Sequence, residues 1–319
     1  PDDTAVLAIH LINPWGTAWS RRVNEDNVDL NRNFIDWQKA PPKNERYGTL
    51  HGALVCPVLE GPAHDTAVET YEEAKRRSGG YAGLAPIIEA GQYDFPDGLF
   101  YGGDGPVWSN RTLIDILTTF AQQATEVVVF DLHTGAGPYG YPALLSVAES
   151  EHAGLDWGRG IFGPALSIVV TGANATTDTG IAATATGYVS AAVRTALPKA
   201  RVLPLVVECG TLDGATVSDA VQADNWLHLF GKVDTPLGGR IKETLRAAFI
   251  PEDADWQRAC LAASLRHFDR AFADLKTVGG AGPEKTVPAA AAVTVVAHPD
   301  VNGPRLAERP AIEVHGIHK

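Results

Sequence analysis

Two apolar runs, each ending in a side chain able to ligate or take a proton, constrain this chain most. Val127-Val128-Val129-Phe130 leads into Asp131-Leu132-His133-Thr134-Gly135. Arg201-Val202-Leu203-Pro204-Leu205-Val206-Val207 leads into Glu208-Cys209-Gly210-Thr211. A half-exposed strand alternates apolar with polar residues, so an unbroken run of this length predicts a strand covered on both faces. Helical patterns supply the cover. They are expected at 63–78, stopped by Gly79-Gly80, from Ser109 as cap to about Gln123, within 177–197, and near 215–230, 236–247 and 252–275. Further strands are expected at Ala5–Ile12, buried and carrying His10 as a core residue, and at Tyr141–Ala148. Strands alternating with helices indicate a three-layer α/β domain.

Residues 13–60 read as mostly irregular, and a long loop inside a domain is often functional. This one is chemically dense. Asn13-Pro14-Trp15-Gly16 is followed by Arg22-Val23-Asn24-Glu25-Asp26-Asn27-Val28-Asp29-Leu30-Asn31-Arg32-Asn33-Phe34. Forked arginine donors beside carboxylates and amides suit the holding of an anion. His133 at a strand end sits where loops of an α/β sheet build sites, and neutral imidazole is the commonest zinc ligand. Asp131 is expected on the strand face opposite His133, to become its partner only if the strand breaks there.

Together these segments resemble the zinc carboxypeptidase superfamily, and within it the bacterial branch of DUF2817 type. The likeness covers residues 5 to about 275. It implies an α/β/α fold with a mixed, largely parallel sheet, and zinc as cofactor. It implies His133 as the third protein ligand and Glu208 as general base. Asn31 and Arg32 become a carboxylate clamp, with Tyr188 as a further substrate-binding group. Arg22 would polarise the scissile carbonyl, with Arg21 as its rival, and Asp29 would orient the first zinc histidine. The superfamily's His-x-x-Glu ligand pair, normally upstream of Asn-Pro-x-Gly, does not occur in the chain; His51 with Glu60 has the wrong spacing. An N-terminal segment carrying the pair is therefore expected to be missing. The domain reading is 1–275 as an N-terminally incomplete catalytic domain and 276–319 as a linker with a tail or small appended strand. His315-Gly316-Ile317-His318 falls in that tail.

The implied activity is metal-assisted cleavage of an amide next to a free carboxylate, on a small peptide. An N-acyl amino acid deacylase and a non-catalytic carboxylate-binding module are the alternatives. Net charge is -12 over 319 residues, which argues against nucleic-acid backbones and anionic membranes as partners. The three cysteines, Cys56, Cys209 and Cys260, are odd in number and far apart in sequence, which predicts a reducing, cytoplasmic setting without disulfides.

Overall fold

The structure is a computed structural model that describes residues 4–148, 152–170, 185–278 and 292–293. In chain order its elements are β1 (Val6–Leu7), α1 (Pro14–Ala18), α2 (Leu30–Asn33), α3 (Glu45–Gly48), α4 (His51–Leu54), α5 (Pro62–Arg77), α6 (Tyr81–Ile88), α7 (Trp108–Phe120), β2 (Glu126–Thr134), β3 (Pro142–Ala148), α8 (Ala153–Phe162), β4 (Leu166–Val170), α9 (Val189–Ala196), β5 (Arg201–Cys209), α10 (Gly214–Leu229), α11 (Pro236–Phe249), α12 (Ala254–Val278) and β6 (Ala292–Val293).

The main sheet has the order β2-β5-β3-β4. β2 and β5 run parallel, β3 and β4 run parallel, and β3 meets β5 antiparallel. The two central apolar runs are therefore neighbours. Val127 and Val129 of β2, with Val202 of β5, pack on Leu113 and Leu117 of α7 and Val193 of α9. Val128 and Phe130, with Leu203, Leu205 and Val207, pack the other way on Trp157 and Phe162 of α8 and Leu275 of α12. Apolar side chains on both faces need helices on both faces, and the α/β/α layering follows. Fully burying a Val, Leu or Phe side chain is worth roughly 1.5–3 kcal/mol, so these rows dominate the favourable side of folding.

Two sequence expectations are corrected. Ala5–Ile12 is not a buried strand. Only Val6–Leu7 pairs, in parallel with Ala292–Val293, and Val6 and His10 are exposed. Apolarity alone gave that run no partner on the main sheet. Ser109 is not a helix cap: α7 starts two residues earlier than that cap implies, with Val107 at the N-cap. The start is held instead by Asn33, whose Oδ1 accepts the Val107 N–H at 3.1 Å. The stretch 13–60 is mostly irregular, as expected, and carries the four short helices α1–α4. Part of the expected helical region 177–197, and the His315–His318 tail, lie outside the described residues.

Candidate active site

The β2–β5 register builds the first half of the site. Val127 lies opposite Val202, Val129 opposite Pro204, Asp131 opposite Val206, and His133 opposite Glu208. Side chains two apart in a strand share a face. One continuous row therefore begins as valines under α7 and α9 and ends as Asp131, His133 and Glu208. The expectation that Asp131 faces away from His133 was wrong for this reason, and the strand does not break. His133 Nε2 lies 3.0 Å from Asp131 Oδ2, close enough for an ion pair without the alignment of a hydrogen bond. On its other side, Nδ1 is 3.6 Å from Glu208 Oε2. Glu208 is buried, and its Oε1 accepts the Ala136 N–H at 3.1 Å. Burial disfavours charge on His133, but Asp131 and then Glu208 outweigh it and push the imidazole up to about 10.

The second half comes from the loops ahead of the sheet. Asp29 caps α2, with Oδ1 accepting the Asn31 N–H at 2.9 Å and Oδ2 accepting Arg22 Nε at 2.9 Å. Against the desolvation of burial, Arg22 and Arg32 hold the Asp29 carboxyl below its usual range. Asn31 Oδ1 accepts the Val189 N–H at 3.1 Å and so docks the start of α9 beside Tyr188. Arg32 is only 4 % exposed. Its Nε donates to the Glu89 carbonyl at 3.0 Å, Nη2 donates to the same oxygen, and Nη1 donates to the Asn31 carbonyl at 2.8 Å. The backbone passes close to it on two sides. A Cβ on Gly91 would come within 2.6 Å of Arg32 Cδ, and one on Gly187 within 2.8 Å of the Arg32 carbonyl. Both glycines have positive φ, so each position disfavours other residues twice over.

Aromatic rings line the arginines. The Arg32 guanidinium carbon is 5.5 Å from the Phe100 ring centre and 5.6 Å from that of Tyr188, and the Arg22 carbon is 5.2 Å from Phe100. Arg22, 29 % exposed in its side chain, is the more open of the two cations. Burial works against its charge, while Asp29, Glu89 and Glu208 sustain it. Glu208 is thus within electrostatic reach of Arg22, which joins the two halves. Tyr188 is pushed up by burial despite Arg32 and Arg22, so its hydroxyl stays protonated at neutral pH.

Arg21 and Arg22 part company. Arg21 turns to Asp224 of α10, its Nε 3.0 Å from Oδ2, in a pair buried on both sides. Lys242 of α11 binds the other Asp224 oxygen and lies 2.7 Å from His228 Nε2. Arg21 therefore fastens the loop to the helices, and Arg22 is left beside Asp29 and Phe100.

Residues 1–263 match one family model, described as "Protein of unknown function (DUF2817)". The chain belongs to that family. No curated protein and no solved structure matches it. In this DUF2817 chain, no group of three His, Cys, Asp or Glu able to hold a metal ion occurs among the described residues. His133 does suit one ligand position. Its Nε2 faces a carboxylate and its Nδ1 faces the site, the arrangement by which an outer carboxylate orients a ligating imidazole. The described residues thus offer one ligand with its support, and not a coordination sphere. No described helix is long and apolar enough to cross a membrane.

Sequence reasoning missed three contributors. Asp131 was misread by parity. Glu89 acts through its backbone carbonyl, which no side-chain motif records. Phe100 lies in the glycine- and aromatic-rich stretch 91–106, whose composition marked it as a loop and gave no hint of a target.

Proposed function

We propose that this chain works as an amide-cleaving hydrolase of carboxypeptidase type on a small substrate with a free carboxylate. One observation carries the reading: His133 and Glu208 meet in register at the polar end of an otherwise apolar row, with Arg22 in reach. Burying ionisable groups there costs stability unless they are used or fully paired. Glu208 Oε2 would accept the proton of the attacking water and return it to the leaving amine. Its second oxygen is pinned by the Ala136 N–H, which fixes the lone pair that faces His133. His133 Nδ1 would hold a zinc ion, which when bound supplies a polarised water and a Lewis acid for the carbonyl.

Arg22 would meet the scissile carbonyl oxygen, a role for which its exposure and its Asp29 anchor suit it. Arg32 uses three N–H bonds on backbone carbonyls and has no ion-pair carboxylate among the described residues, so its charge is available to a substrate carboxylate. Tyr188 would donate from beside it.

The test is Glu208→Gln, assayed on a dipeptide and on an N-acyl amino acid. Turnover is expected to fall by roughly 10²–10⁴ in a variant that still folds, since the amide keeps the shape and loses the basic oxygen. Near-normal turnover would move the base elsewhere. The preferred wild-type substrate separates peptidase from deacylase.

A further inference from the structure

We infer that Phe100 is a positioning residue whose ring holds the guanidiniums of Arg22 and Arg32 in one fixed relation, so that a single substrate meets both. The inference rests on the carboxylate-bearing substrate proposed above. Both guanidinium carbons lie against the same ring, at 5.2 and 5.5 Å from its centre. Two like charges brought to one place repel. The negative face of an aromatic ring attracts each of them, and an aliphatic side chain would not. The ring's contacts are with the two guanidiniums, so it acts through the arginines.

The backbone shows that this placement is imposed. Phe100 has φ +52°, a left-handed conformation that a bulky residue avoids. It is held on both sides. The Gln92 N–H donates to the Phe100 carbonyl at 3.2 Å, the Asp29 N–H donates to the Tyr101 carbonyl at 2.8 Å, and Tyr101 bridges Val28 and Gln92. The other non-glycine residues with positive φ among those described are Ser20 and Asn27, and they flank Arg21 and Arg22. Asn27 ties the two loops, donating to the Pro96 and Gly98 carbonyls at 3.0 and 2.9 Å. Strain of this kind persists where the surroundings over-determine it, and it gathers at functional sites.

Phe100→Leu removes the ring and keeps apolar bulk, Phe100→Met does so with a longer chain, and Phe100→Tyr keeps the ring. Two readouts are taken on the full chain: the arginine Nε–H resonances, and binding of N-benzoylglycine against its amide. In the wild type the ring is expected to displace two arginine signals. Both are expected to move in Phe100→Leu and to stay in Phe100→Tyr. N-benzoylglycine should bind about ten-fold more weakly to Phe100→Leu and within about two-fold of wild type to Phe100→Tyr, with the amide indifferent to either. A merely structural Phe100 would not alter the preference for acid over amide. If the signals stay put in a folded Phe100→Leu, or in Phe100→Met should the leucine variant not fold, the inference is overturned. If the wild type binds acid and amide equally, the carboxylate reading falls. The arginine side-chain Nε relaxation then decides the positioning role alone, greater mobility in a folded Phe100→Leu upholding it and unchanged mobility refuting it.

Discussion

One imidazole between two carboxylates makes His133 the residue whose protonation matters most to the metal-free chain. Burial opposes its charge, but Asp131 and Glu208 raise it from an unfolded value of 6.5 to about 10. The folded chain therefore binds this proton more tightly than the unfolded chain. The stability gained is complete below pH 6.5 and is lost as the pH climbs through about 10. Urea unfolding of metal-free wild type and His133→Gln between pH 6 and pH 10 should show a gap that closes with rising pH. A gap that stays constant would mean that the imidazole is neutral in the folded state. His133 and Glu208 were legible in sequence as ends of apolar runs. Their contact was not, since register depends on how two strands 75 residues apart align, Glu126 with Arg201.

At the scale of elements, the arginine loop is held to the helices by one carboxylate. Asp224 of α10 receives Arg21 and Lys242 at once, with both cations and the acid nearly shielded from water. Burial, then Arg21 and Lys242, push His228 down to about 4, so it stays neutral and serves as acceptor for the lysine. Removing the shared partner leaves two buried cations uncompensated. Asp224→Ala should therefore cost about 3–5 kcal/mol in urea unfolding, the range for breaking a buried pair from one side. Lys242→Met leaves Arg21 paired and fills a similar volume, so its cost should be far smaller. Equal losses from the two variants would show that the bracket is not centred on Asp224. Neither Asp224 nor Lys242 stands out in sequence, where each reads as one polar position on a helix.

At the scale of the molecule, β5 is the organising strand. It is flanked by β2 and β3, and every residue after Arg201 is buried. By contrast α5 buries only Ala67. Local opening needs little where few apolar contacts are broken, and approaches global unfolding where the sheet must part. Hydrogen exchange followed by mass spectrometry should find β5 amides the slowest and α5 amides faster by several orders of magnitude. Protection in α5 equal to that in β5 would contradict this ranking. Glu208 lies near the C-terminal end of that strand, so the base proposed for the chemistry rests on the element expected to open least.

What the sequence determined by itself is what short-range pattern encodes. Unbroken apolar runs specify strands covered on both faces, and 3.6-residue periodicity specifies helices, so the α/β/α layering and the strand-end placement of His133 and Glu208 could be read directly. The run at Ala5–Ile12 shows the limit, because apolar residues do not name a partner strand. Tertiary structure alone decided where two adjacent arginines go. It gave Arg21 to Asp224, 203 residues away, and left Arg22 beside Asp29. It also set Arg32 on the Glu89 carbonyl and both arginines on Phe100. The physical reason is one of range. Backbone propensity and burial act along the chain and leave a periodic trace, whereas ion pairs, carbonyl contacts and ring faces are settled by which surfaces packing brings together.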